Sequence, residues 1–293
     1  MGSLAVVIPA FRSERTIRRC LELFTEEAPD AELIVVDSSP DAASAAIARS
    51  VGGISVVAVR VDLVGHRNIK KNEDPREAPL VLFTDPDIYP RPGAVAALVD
   101  AQHATGGAVA AAVACHGASS LDRAAHYAKY DSWLPRPGVS RIAIAPTSGL
   151  LVSREAWARV GRIPERGMLG DTVFSWALVD AGVPLHLAGD AVFEHDHGAA
   201  LGTLVRERYA RGREFAPLRQ ARRPGRGRRA IDVAVTVSLL RPARVIARSA
   251  SAAWRHGGRA EAVAALPVVA ALQLAWFTGE LVGLATDPGT TVR

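Results

Sequence analysis

Two aspartates stand one residue apart in LVLFTDPDIYPRPG, residues 80–93: Asp85 and Asp87, directly after four apolar residues. A carboxylate at the end of a buried strand loses hydration, so something must compensate it. Asp-Pro-Asp, followed by Pro90 and Pro92, is good turn chemistry, and a plain turn is one reading. The other is a divalent cation site. Mg2+ and Mn2+ take carboxylate oxygens, keep several waters and draw their remaining ligands from substrate phosphates. Such an ion stabilises charge on a departing diphosphate. A third carboxylate, Asp171 in GMLGDTVFSWALVDAG, opens a helical pattern as either a cap or a general base. A late cluster, EHDHG at 194–198, carries His195 and His197, which strand alternation puts on one side.

The elements that must position these residues are legible from periodicity. Leu4–Ile8, Glu32–Val36, Ile54–Val61, Leu80–Phe83 and Ala108–Ala114 read as strands. Helices are expected from Ser13 to about Glu27, from Asp41 to Ser50 and from Pro92 to Thr105. Continuous apolar strands alternating with helices imply a mostly parallel sheet buried on both faces, a Rossmann-like α/β architecture. Ligands of such sheets bind beyond the carboxyl ends of the strands. Pro9–Arg12, Asp37–Asp41, Leu63–Asn68 and Asp85–Asp87 all fall there. Further on, Thr147–Val152 reads as a strand and Arg154–Val160 as a helix with Trp157 in the core. A helix is expected from Asp171 to Ala181, and short strands at Leu185–Leu187 and Ala191–Glu194.

The blocks VVIPAFRSERTIRRCLE, ELIVVDSSPD, GHRN and LFTDPD occur in an order that resembles glycosyltransferase family 2, over roughly residues 4–215. The resemblance implies the GT-A fold and a metal-dependent transfer of a sugar from a nucleotide-diphosphate donor to an acceptor hydroxyl, with inversion. It makes Asp85 and Asp87 metal ligands, with Mg2+ or Mn2+ as cofactor and Asp85 also facing the donor diphosphate. It makes Pro9, Ala10, Phe11 and Arg12 the nucleotide loop and Asp37 a contact to the nucleoside, leaving Asp41 as the helix cap. His66-Arg67-Asn68 resembles the family's Ala-Arg-Asn segment, so Arg67 is expected at phosphate or orienting the aspartates. Ser148 and Gly149 resemble the acceptor side. Asp171 is the implied general base, although Gly170 stands where the family often has Glu. His197 is implied as the histidine that completes the metal shell, with His195 second. Arg211, in RERYARGR, is implied as a donor-side lid residue.

The charge is uneven. Residues 199–259 hold fifteen arginines against three acids, a surplus of twelve in a chain of net charge +5, leaving about −7 elsewhere. Such a region suits an anionic partner. The sequence divides into a GT-A domain over 1–218, an Arg/Gly/Pro linker over 219–230 and a helical basic and apolar extension over 231–293. Residues 262–279 carry no charge for 18 residues, and a spanning, an interfacial and a core helix all fit that composition. The two cysteines, Cys20 and Cys115, read as reduced residues of a cytoplasmic protein, with no leader ahead of the first strand. The expected location is cytoplasmic, peripheral on the inner face of the cell membrane, with a glycan, lipid or small-molecule acceptor in cell-envelope or glycolipid synthesis. Competing readings are a degenerate GT-A scaffold at the membrane and a nucleotidyltransferase, the latter disfavoured because PAFRSE lacks glycine. Nucleic acid is disfavoured because the Arg-rich segment has no interleaved aromatics.

Overall fold

A computed structural model of the chain describes residues 4–58, 78–117, 119–161, 163, 167–222, 231, 234, 235, 238 and 240–286. Among the described residues nine strands form one sheet: β1 (Leu4–Ala10), β2 (Glu32–Asp37), β3 (Ser55–Ala58), β4 (Leu80–Phe83), β5 (Ile88–Pro90), β6 (Ala108–Cys115), β7 (Val139–Arg141), β8 (Leu150–Ser153) and β9 (Leu185–His195). The order is β3-β2-β1-β4-β8-β6-β9-β5, with β7 paired to β9. The strands β3, β2, β1 and β4 are mutually parallel, and β8 is antiparallel to both β4 and β6. β6 and β9 are parallel, so six strands run one way and only β5, β7 and β8 oppose them. The expected mostly parallel α/β sheet is therefore present, and the carboxyl ends of β1, β2, β4, β6 and β9 share one edge.

Alternation along β1 explains the layers. Val6 and Ile8 face one cluster with Phe24, Leu98 and Phe193, whereas Ala5 and Val7 face another with Phe83, Trp157 and Phe174. The helices α1 (Ile17–Glu27), α2 (Ala43–Val51), α3 (Ala94–Thr105), α5 (Arg154–Val160) and α6 (Gly170–Asp180) accompany the sheet. Trp157 is 8% exposed and meets Phe83 edge to face at 5.4 Å, as its expected core role requires. Such pairs contribute about 1 kcal/mol beyond area burial.

The structure revises several boundaries. The expected strand 54–61 is described as Ser55–Ala58, with Ile54 ahead of it and 59–61 outside the described residues. The two short strands expected over 185–194 are one, interrupted where Ala111 pairs with Ala188 but Ala112 with Val192. That irregularity loops out residues 189–191, which is why the apolar pattern breaks there. The first helix starts at Ile17 rather than Ser13, because the Ser13 carbonyl first closes a turn with the amides of Thr16 and Ile17.

The chain divides into two compact units: Met1–His116 with Trp133–Asp196, and Gly117–Ser132 with His197–Arg293. The sheet occupies the first. In the second, α7 (Leu201–Arg222) packs with α8 (Leu240–Thr286), and α4 (Ser120–Tyr130) joins them. Residues 223–230 of the expected linker lie outside the described residues, whereas 219–222 complete α7. Helix α8 is two arms, 240–257 and 259–286, joined at Gly258, whose φ of 82° and ψ of −176° are non-helical. The arms are antiparallel: Ser249 meets Gln273, and Arg241 meets Glu280. Gly279 and Gly283 lie against the backbone of Tyr209 and Arg213 on α7, and Gly212 against that of Trp276. Small residues at such a crossing let two helix backbones touch.

Candidate functional site

The first candidate group sits where β1 and β2 end. Arg12 adopts φ 49°, an unusual backbone for a side-chain-bearing residue, and is fixed there because its amide donates to Ser39 Oγ at 2.8 Å. The Ser13 amide donates to Ser44 Oγ at 2.9 Å. Pro9 and Ala10 are buried in the strand, whereas Phe11 is 48% exposed, with the Arg12 guanidinium 5.5 Å from its ring centre.

Asp37 ends β2 and is 3% exposed. Its Oδ1 accepts from the Ser39 amide at 2.8 Å and hydroxyl at 2.6 Å, and its Oδ2 from the Ala45 amide at 2.9 Å. The capping duty expected of Asp41 therefore belongs to Asp37. Asp41 makes only an exposed 3.3 Å contact with the Ala43 amide. A carboxylate at a strand end that organises the next eight residues shapes the loop against which Arg12 rests.

Asp85 and Asp87 leave β4 in a turn closed by the Ile88 amide donating to the Asp85 carbonyl at 3.1 Å. Both are half-buried. The short β5 then pairs Ile88 with His195, and the Asp196 amide donates to the Asp87 carbonyl at 2.9 Å. His195 Nε2 consequently lies 3.6 Å from Asp87 Oδ2. Asp87 Oδ2 and the His195 imidazole nitrogen are donors of the kinds that a hard or borderline divalent cation takes, and Asp85 stands in the same turn. Below the turn, burial pushes the Cys20 thiol up, and Asp87 and Asp85 add to the shift.

Around this turn lie groups that the sequence reading left unassigned. Arg15 pairs with Asp196 at 2.7 Å, and that hydrogen bond raises its pKa against the opposing effect of burial. Burial, then the Asp196 charge, pushes the Tyr89 phenol well above its ordinary range. Glu194 takes Arg91 at 2.8 Å and His116 at 2.7 Å. Burial works to raise its pKa, but hydrogen bonds from His116 and Arg91 outweigh it and hold the carboxyl below its usual value. The only sequence signal for these pairs was charge within SERT and EHDH.

Asp171 occupies the first turn of α6. The helix is preceded by Leu169, which provides no side-chain cap, so Asp171 is not the cap that one reading made it. It is half-exposed, with Oδ1 accepting from the Thr172 amide at 2.7 Å. Ser148 is 5% exposed. Gly149 has φ 128°, and a Cβ there would come within 3.0 Å of the Phe193 ring and 3.1 Å of Ala111 Cβ. The packing of β8 between β4 and β6 thus requires a glycine at this position. Arg67 lies outside the described residues.

His197 and Arg211 belong to the second unit. His197 Nε2 is 3.1 Å from His126 Nδ1, and burial, then Lys129 and His126, pushes its pKa down to about 2. Arg211 pairs with Glu207 at 3.1 Å. Both residues line a cavity of about 40 Å³ together with Lys129, Glu207 and Arg208. Of the two histidines considered for the metal shell, His195 is the one beside Asp87, and His197 is the one beside His126.

Residues 5–143 match the sequence profile of glycosyl transferase family 2. The structure is similar to that of the mannosyltransferase PcManGT from Pyrobaculum calidifontis, determined in complex with GDP-Man and Mn2+. The two share 20% identity at a TM-score of 0.58, over 97% of this chain and 86% of that one. At that identity the likeness establishes the fold, which is that of a GT-A enzyme. No curated protein matches the sequence.

Proposed function

We propose that this chain, whose residues 5–143 match the profile of glycosyl transferase family 2, is a glycosyltransferase that moves a sugar from a nucleotide-diphosphate donor to an acceptor hydroxyl with inversion. The observation that carries the reading is the turn after β4, which carries Asp85 and Asp87 and sets Asp87 beside His195 at the carboxyl edge of the sheet. Asp85, Asp87 and His195 would hold a divalent cation, Mg2+ or Mn2+. Bound there, the cation supplies positive charge to the donor diphosphate as it departs.

The chain's own residues do the rest. The exposed Phe11 ring offers a stacking face to a nucleobase, and Asp37 and Ser39 keep Arg12 in the backbone conformation that shapes that loop. Asp171 takes the proton of the acceptor hydroxyl as its oxygen attacks the anomeric carbon on the face opposite the diphosphate. Arg15 holds Asp196 beside the turn without competing for the acceptor proton. Reduced Cys20 and Cys115 fit a cytoplasmic enzyme, and the acceptor is a lipid-linked or cell-envelope glycan.

GDP-mannose with Mn2+ is the first donor to test, since the similar mannosyltransferase binds both. Thermal melting with a panel of nucleotide diphosphates and their sugars, with and without Mn2+, tests the reading. Binding to the native state alone raises Tm by mass action. One donor is expected to raise Tm only in the presence of the ion, and Asp87→Asn is expected to abolish the shift. A flat panel with every donor and either ion would sink the proposal.

A further inference from the structure

The second arm of α8 has two opposed apolar faces. Ala265, Val269, Leu272 and Phe277 are buried, whereas Val263 (67% exposed), Leu266 (43%), Leu274 (48%) and Leu281 (37%) point outward at helical spacing. The inner face is not lipid-like. Gln273, 2% exposed, donates to the Ala128 carbonyl at 2.9 Å and accepts from Arg208 at 2.8 Å. Glu280 is fully buried between Arg241 and Trp276. A helix with charges paired on one side and bare aliphatics on the other is built to lie along an apolar boundary rather than cross it. It is also the single described helix long and apolar enough to cross a membrane.

The charges of the same hairpin are sorted in the same way. It carries five arginines and two acids. Both acids are turned inward, Glu261 to Arg123 at 2.8 Å and Glu280 to Arg241. Arg244, Arg255 and Arg259 are exposed, and Arg248, also exposed, pairs with Asp131 at 2.9 Å, so among the described residues the hairpin's own outer charges are all positive. Trp254, 58% exposed, stands at the closed end beside a cleft of about 290 Å³ between the arms, lined by Ala250, Ala262, Val263 and Leu266.

From this sorting we infer that the outer face of the hairpin docks in the plane of an anionic phospholipid bilayer. Val263, Leu266, Leu274 and Leu281 enter the acyl boundary, Trp254 sits at headgroup level, and the arginines pair with lipid phosphates. The inference rests on the second unit alone and does not depend on the glycosyl reaction.

The test is co-sedimentation of the full chain with phosphatidylcholine vesicles, with and without phosphatidylglycerol. Binding is expected only to the anionic vesicles, with release by alkaline carbonate. Val263→Glu with Leu266→Glu, both at exposed positions, should lower partitioning at least about tenfold, since each charge is costly among acyl chains. Arg244→Glu with Arg255→Glu should do the same, at about 1 kcal/mol for each arginine near the surface. Wild-type Tm in both variants confirms that they fold, and an unchanged Tm shift with donor keeps this result separate from the fate of the reaction proposal. The inference falls if the wild-type chain stays in the supernatant, if the glutamate variants bind as well as wild type, or if carbonate fails to extract the chain, which would mean that it spans. It falls equally if the wild-type chain dimerises without vesicles and Leu266→Glu makes it a monomer while vesicle binding is absent.

Discussion

Asp171 and Asp87 are both acidic, yet their surroundings assign them different work. Asp87 shares its turn with Asp85 and faces an imidazole, an arrangement that collects cationic charge. Asp171 stands half-exposed on a helix start with a threonine amide on one oxygen, an arrangement that leaves a carboxylate able to receive a proton. Asp171→Asn should therefore cut kcat by at least about a hundredfold, the usual worth of a general base, and leave donor binding intact. Asp87→Asn should remove binding and turnover together. Steady-state kinetics beside the donor-dependent Tm shift separates the two, and a near-normal kcat in Asp171→Asn would refute its role as base. The position of Asp85 and Asp87 was legible in the sequence, because they follow an unmistakable strand. The separate surroundings of His195 and His197 were not. Alternation holds only within a strand, and β9 ends at His195, so parity says nothing about His197. The partners of Asp37 were not legible either, since Ser39 lies in a loop whose path no periodicity encodes and Ala45 in the first turn of α2.

Elements that bury both faces were readable as continuous apolar runs, as in β1, β4 and β6. Those that exist only by pairing were not. β5 and β7 have three residues each and owe their conformation to β9, and α4 lacks the apolar stripe of a sheet-covering helix because half of its buried residues are Ala. The sharpest constraint at this scale is Gly149, where β8 is squeezed between β4 and β6. A side chain there meets strain from φ 128° and a collision with Phe193 and Ala111 at once. Gly149→Val should cost about 3 kcal/mol or more in urea unfolding, the range of overpacking plus backbone strain. A loss under about 1 kcal/mol would mean that Phe193 can retreat. The α7–α8 crossing makes a parallel case. Gly283→Leu pushes a branched side chain into the Arg213 backbone and should lower the protection of both helices against hydrogen exchange. Strand amides β1 and β4 serve as the internal control.

Across the whole molecule, the two units meet acid in different ways. In the sheet unit, Glu194 has a depressed pKa, so its stabilisation is present above the unfolded carboxyl value of 4.5 and is lost as pH falls through the lower folded value. In the helical unit, His197 is buried neutral beside His126 and Lys129, with its pKa pushed from 6.5 to about 2. The unfolded chain takes up that proton below 6.5 while the native one refuses it, so stability falls with pH from 6.5 downward, by at most about 1.4 kcal/mol per pH unit for one proton. The helical unit should therefore loosen first on acidification. Hydrogen exchange compared between about pH 7 and about pH 5 is expected to show protection factors dropping in α4 and α7 while those of β1, β4 and β6 hold, because Glu194 has not yet begun to titrate. His197→Gln, which cannot take up the proton, should flatten the response in α4 and α7 and leave the acid limb of the sheet unchanged. Equal loss in both units over that interval would show that His197 does not govern the acid response of the helical unit.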